Sequence, residues 1–175
     1  MKRFMALATF TLLLGAQALG QGMGPPSGPN DRSGMPATAE EFVKKVAISD
    51  MFEIEASKLV EPKADADTKP FAQKMITDHA RTSEELKNLV QSGKVKAQLP
   101  TGLDPEHQSK LDQLKQQSGD TLDKTYDQIQ VQAHKEAVTL FENYAQIGDN
   151  PDLKVWAAKT LPHLKEHLSM AERLK

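Results

Sequence analysis

Apolar side chains recur at helical spacing over four long stretches of the chain, with Gly, Pro and Asn between the stretches. The first stretch begins at a capping box, in which the Thr38 hydroxyl is followed three residues later by Glu41, and Pro62 ends it. The second begins after Asp67 as N-cap and ends at Gly93. Each pattern predicts one long amphipathic helix.

The third long stretch runs from about Asp120 to Gly148. The fourth begins at Asn150 and Pro151, a favoured pair of N-cap and first helical residue. Pro162 lies inside this last stretch, where it removes a backbone hydrogen bond. We therefore expect a kink in the fourth helix at Pro162.

The connection between the second and third stretches, residues 94–119, is long and carries only a weak apolar stripe at Leu111 and Leu114. This pattern predicts a loop and a short helix, and the connection is long enough to cross a bundle. No stretch alternates apolar and polar residues as a strand does. The expected fold is all-α: a ferritin-like four-helix bundle with a short additional helix in the crossover between helices two and three.

The N-terminus has the three parts of a secretory signal. Lys2 and Arg3 precede an apolar run over residues 4–15, and small residues follow at the positions that a signal peptidase accepts. The run is shorter than the ~20 residues of a membrane span. We expect cleavage after Ala18 or Gly20.

Residues 21–37 are rich in Gly, Pro and Ser and nearly lack apolar side chains, which predicts a disordered linker. The expected domain organisation is thus a signal peptide at 1–20, the linker at 21–37 and the ferritin-like helical bundle at 38–175.

The amino-acid composition limits the cellular locations and the classes of partner that we expect for this protein. The chain has no cysteine, which excludes disulfides and a lipidated cysteine, so we expect a periplasmic or secreted protein with no stable membrane anchor. Loss of Lys2 and Arg3 leaves 20 basic against 24 acidic residues. This balance does not favour nucleic acid as a partner, and the protein partner stays open.

Each long helix carries one polar residue that lies on the same face as its apolar stripe and could bind a metal ion. Three imidazoles and one carboxylate suit a transition metal such as Zn, Fe or Mn. The alternative is that the histidines are structural and bond to neighbours such as Asp78 or Asp127. The candidate ligands are Glu55, His79, His134 and His167.

The sequence contains no complete motif of a known class of catalytic site. The segment from His163 to His167 fits H-x-x-E-H, but the third protein ligand of a zinc peptidase has no evident source. There is no cysteine, no G-x-S-x-G elbow and no glycine-rich phosphate loop. We therefore predict no catalytic residue and no organic cofactor.

Four sequence blocks occur in order, one in each long helix: Phe42 to Glu55, Phe71 to His79, His134 to Glu142, and Ala157 to Leu168. Together they resemble, over residues 39–174, the exported bacterial family catalogued as domain of unknown function 4142. The resemblance implies an exported ferritin-like bundle without an established activity, and it makes the proline in helix four expected.

Di-iron ferritin-like proteins use Glu-x-x-His pairs. Here Ile76, Val131 and Leu164 stand three residues before the histidines, so ferroxidase chemistry is not expected. The leading hypothesis is an exported bundle that binds a metal ion in an envelope-stress or metal-handling role. The alternatives are an interaction or chaperone-like module with structural histidines and, less favoured, a metal-dependent oxidase.

Overall fold

The computed structural model describes residues 38–174, so the expected signal peptide and linker lie outside the described residues. The described part contains helices and no strand, which confirms the predicted all-α helical bundle and the short helix within the long connection. The helices are α1 (Ala39–Val60), α2 (Thr68–Gln91), α3 (Pro105–Lys115), α4 (Gly119–Ile147) and α5 (Pro151–Ala171).

Two of the predicted helix starts are confirmed. The Thr38 side chain accepts a hydrogen bond of 3.3 Å from the Glu41 backbone N–H. At the start of α5, the Asn150 side chain accepts one of 3.0 Å from the Leu153 N–H. Each bond satisfies a backbone donor that the first turn of a helix leaves free.

Helix α2 begins directly after Asp67, as predicted, but the capping role predicted for the Asp67 side chain is wrong. Its backbone is already helical and its side chain makes no capping bond. The carboxylate of Asp65 accepts instead from the N–H groups of Asp67 and Thr68, at 3.0 and 2.7 Å. The turn before α2 thus begins two residues earlier than the pattern suggests.

Helix α5 continues through Pro162. A proline frees the carbonyl four residues earlier, which here belongs to Ala158. Both residues lie on the exposed face of α5, where water can bond to that carbonyl. The proline is therefore tolerated inside the helix.

Two apolar clusters show how the helices run. The Phe42 cluster joins the start of α1 and α5 to the end of α2 and α4 through Phe42, Leu86, Tyr144 and Leu153. The Phe71 cluster joins the opposite ends through Val60, Phe71, Tyr126 and Ala171. Helices α1 and α5 are thus parallel to each other and antiparallel to α2 and α4.

The connection between α2 and α4 spans the bundle from end to end. Val95, near its start, belongs to the Phe42 cluster, whereas Leu111 and Leu114 of α3 belong to the Phe71 cluster. Helix α3 packs on α1 and α4. Among the described residues, no helix is both long and apolar enough to span a bilayer.

Between the two apolar clusters, each of the four long helices buries polar side chains. We call this set the polar layer. Its members are Asp50 and Glu53 of α1, His79 of α2, Gln130 and His134 of α4, and His167 of α5.

A further buried carboxylate, Asp127, lies near the start of α4. Its Oδ1 accepts a hydrogen bond of 3.3 Å from the Thr68 hydroxyl, while its Oδ2 has no partner among the described residues. Burial, with the charges of Asp65 and Asp123, raises the pKa of Asp127 to about 6 from 3.8. The ionised form is thus disfavoured in the folded state.

We expect this carboxylate to make the folded protein less stable as the pH rises from about 4 to above 6, by roughly 1–3 kcal/mol. Asp127→Asn should remove that loss, because an amide carries no charge at either pH. Urea unfolding should show the variant to be more stable than the wild type at pH 7.5 and about equal at pH 3.5. A constant difference between the two proteins at both pH values would contradict the assignment.

Candidate metal centre

Three histidines of the polar layer, one each from α2, α4 and α5, converge in the middle of the bundle. The ring centroids are 5.7 Å apart for His79 and His134, 5.6 Å for His79 and His167, and 5.4 Å for His134 and His167. One nitrogen from each ring lies within 4.8 Å of the others. All three side chains are buried.

His79 is held by a carboxylate of α1. Its Nδ1–H donates to Asp50 Oδ1 at 2.7 Å, and both residues are buried. The hydroxyls of Thr82 and Ser83 donate to the other Asp50 oxygen, at 2.9 and 3.3 Å. Asp50 therefore fixes the tautomer and the orientation of the His79 ring.

The other two rings are oriented in the same manner. The Nδ1–H of His134 donates to the Gln130 backbone carbonyl at 2.9 Å, and the Nε2–H of His167 donates to Asp78 Oδ2 at 2.9 Å. Asp78 also pairs with Lys74 at 3.0 Å. The alternative partner considered for the histidines, Asp127, bonds to Thr68 instead.

The second nitrogen of each ring is buried and has no hydrogen-bond partner among the described residues. A buried polar atom without a hydrogen bond lowers the free energy of unfolding by about 1–3 kcal/mol. Three such atoms on converging rings therefore indicate a partner that all three share. The atoms are His79 Nε2, His134 Nε2 and His167 Nδ1.

The histidines differ in their tendency to bind a proton. Burial, with the charge of His79, lowers the pKa of His134 to about 3. Burial also lowers the pKa of His167 to about 4, against the opposing hydrogen bond of Asp78. Burial acts to lower the pKa of His79 too, but Asp50 and Glu53 outweigh it, and the pKa is raised. At neutral pH, His134 and His167 thus present lone pairs.

This arrangement matches what a histidine-bound metal needs. Ligating histidines usually donate their other N–H to a carboxylate or a backbone carbonyl, as all three do here. A tetrahedral ion about 2.0–2.1 Å from each nitrogen would hold the nitrogens roughly 3.4 Å apart. The rings would need to move inward by about an ångström.

Glu55, the carboxylate that the sequence suggested on α1, lies on the exposed face of that helix and is not part of the histidine group. The buried carboxylates of α1 are Asp50 and Glu53. They share a stripe of three- and four-residue steps with Val46 and Ser57, and this spacing is the sequence signal that could have found them.

The two remaining histidines of the chain, His107 and His163, lie elsewhere. His163 is exposed, so the H-x-x-E-H segment points one histidine outward and one inward. His107 on α3 lies against Phe52, with ring centroids 5.3 Å apart, and its Nδ1–H donates to Asp104 at 2.7 Å. Neither belongs to the histidine group.

A cleft of about 820 Å³ runs between α1 and α4 and reaches the polar layer. Its walls include Asp50, His79 and Thr82, next to apolar side chains such as Leu140 and Leu164. Positively charged lysines and negatively charged glutamates also line the cleft. The cleft therefore leads from the charged surface to one histidine of the group.

Comparison with known proteins identifies the family. Residues 24–174 match the family described as domain of unknown function (DUF4142), and the chain belongs to it. Neither the curated proteins nor the solved structures contain a significant match to the chain.

The buried pair of His79 and Asp50 has a partly exposed counterpart in His107 and Asp104, with the same Nδ1 to Oδ1 distance of 2.7 Å. In metal-free protein, we expect His79→Ala to lower the free energy of unfolding by about 2–4 kcal/mol, because it leaves the buried Asp50 charge without its partner. His107→Ala should cost about 1 kcal/mol or less. Equal losses in urea unfolding would show that burial does not govern these pairs.

Proposed function

We propose that this protein is an exported helical bundle that binds one transition-metal ion through His79, His134 and His167. The observation that carries the proposal is the convergence of three buried imidazole rings in the polar layer. One nitrogen of each ring lies within 4.8 Å of the others, and each ring has one nitrogen without a hydrogen-bond partner among the described residues. A metal-handling role in the cell envelope follows from this site together with the expected export.

The geometry favours a metal over a purely structural role for the histidines. Structural histidines in a core normally satisfy both ring nitrogens or expose one to water. Each of these rings instead has one hydrogen-bonded nitrogen and one buried nitrogen without a partner in the described part of the chain. The nitrogens are too crowded by one another for all three rings to be protonated, whereas one cation would satisfy all three.

The donor set favours Zn²⁺ or Fe²⁺ over Mn²⁺. Imidazole suits zinc and iron, whereas manganese prefers carboxylate and water oxygens. Asp50, Asp78 and Glu53 surround the histidines with negative charge, which compensates the charge of a divalent ion in a buried position.

Chelator-stripped protein should bind one equivalent of Zn²⁺. At a metal concentration a hundredfold above Kd, the bound ion should stabilise the fold by about 2.7 kcal/mol and raise the Tm by roughly 5–10 °C. His134→Ala and His167→Ala should abolish both effects, since each removes one of three ligands. Elemental analysis and calorimetric titration measure the stoichiometry, and thermal unfolding measures the shift.

His163→Ala is the matched control, because His163 lies on α5 one turn before His167 but is exposed. This variant should bind zinc and gain stability as the wild type does. Absence of stoichiometric metal in the wild type, or full binding by His134→Ala, would refute the proposal and favour the interaction or chaperone-like module.

We also propose that the protein is exported from the cytoplasm. The charged start, the apolar run and the small residues before Leu19 and Gln21 support export. Mass spectrometry of the mature protein from its native host should find Leu19 or Gln21 as the first residue. A chain that retains Met1 and is recovered with the membrane fraction would contradict export.

A further inference from the structure

Two further buried atoms of the polar layer have no hydrogen-bond partner among the described residues: Glu53 Oε1 and Gln130 Oε1. The two side chains are joined to each other, because Gln130 Nε2 donates to Glu53 Oε2 at 2.6 Å. Both free atoms are oxygens that accept hydrogen bonds. A single molecule with two O–H or N–H groups would satisfy them together.

These oxygens belong to the surroundings of the histidine group. Gln130 lies one turn before His134 on α4, and its backbone carbonyl accepts the His134 N–H. Glu53 lies on α1, the one long helix that supplies no histidine to the group, and its charge interacts with that of His79. Glu53 from α1 and Gln130 from α4 thus belong to the same buried polar layer as the histidines.

Three histidines leave a fourth position of a tetrahedral ion without a protein ligand. If Glu53 filled that position itself, Gln130 Oε1 would stay buried and unpaired. No carboxylate oxygen of the described residues joins the three nitrogens in their group. A water molecule on the ion, in contrast, has two hydrogens for the two free oxygens.

We propose that the centre keeps one exchangeable coordination position, held by a water molecule that donates to Glu53 Oε1 and Gln130 Oε1, and that small anions can replace this water. This inference rests on the proposed metal site. The cleft between α1 and α4 supplies the path, since it reaches Asp50 and His79 from the surface.

An exchangeable position separates a reactive or transport centre from a purely structural one. Structural zinc sites have four protein ligands, whereas sites with three protein ligands and water accept external molecules. We expect only small ligands to replace the water, because the position lies in a buried layer.

The test uses the mature protein loaded with Co²⁺, whose visible absorption spectrum reports changes in its ligands. The cobalt content is measured first, and we expect one ion per chain. Sodium azide is then added, and we expect a saturable spectral change as azide replaces the water. Glu53→Gln should keep one cobalt per chain and bind azide about tenfold more tightly, because the neighbouring negative charge is removed.

Glu55→Gln is the matched control, since Glu55 is exposed on the same helix and should leave the azide affinity unchanged. Loaded wild type that gives no azide response would overturn the exchangeable position. An unchanged azide affinity in Glu53→Gln, or loss of its cobalt, would overturn the role of Glu53 as a partner of the water. Failure of the wild type to bind cobalt would show at the first measurement and would refute the metal site itself.

Discussion

The desolvation of a polar layer in the middle of the bundle is the constraint on which the rest of the structure depends. The apolar clusters at the two ends supply the packing, and they enclose the layer so that its charges and imidazoles lose contact with water. A buried polar group without a partner is costly. Each histidine is therefore fixed by one neighbour, and the second nitrogens share the centre.

The electrostatics of the layer follow from the same constraint. Burial and mutual repulsion keep His134 and His167 neutral, with pKa values of about 3 and about 4. Asp50 draws the proton to His79 instead. Burial also raises the pKa of Glu53, against the charge of His79. A layer with two neutral rings and nearby carboxylates suits a metal cation better than it suits a further proton.

The crossover between α2 and α4 determines which residues meet. Because the connection returns to the far end of the bundle, α2 and α4 run in one direction and α1 and α5 in the other. This order brings the buried polar residues of all four long helices to one level. His79, His134 and His167 meet there although 55 and 33 residues separate them along the chain.

The sequence alone determined the helices, two of their caps, the long connection and the core-facing positions of the three histidines, because these depend on local spacing and capping chemistry. The tertiary structure decided which carboxylate of α1 turns inward. Helix α1 packs on α2, α3 and α4, so it is apolar around most of its circumference and its pattern fits more than one stripe. One stripe leads to Glu55 and another to Glu53, and only packing against the neighbouring helices selects Glu53. The ring orientations of His79 and His167 depend likewise on Asp50 and Asp78, which lie on neighbouring helices. No spacing within one helix encodes these contacts.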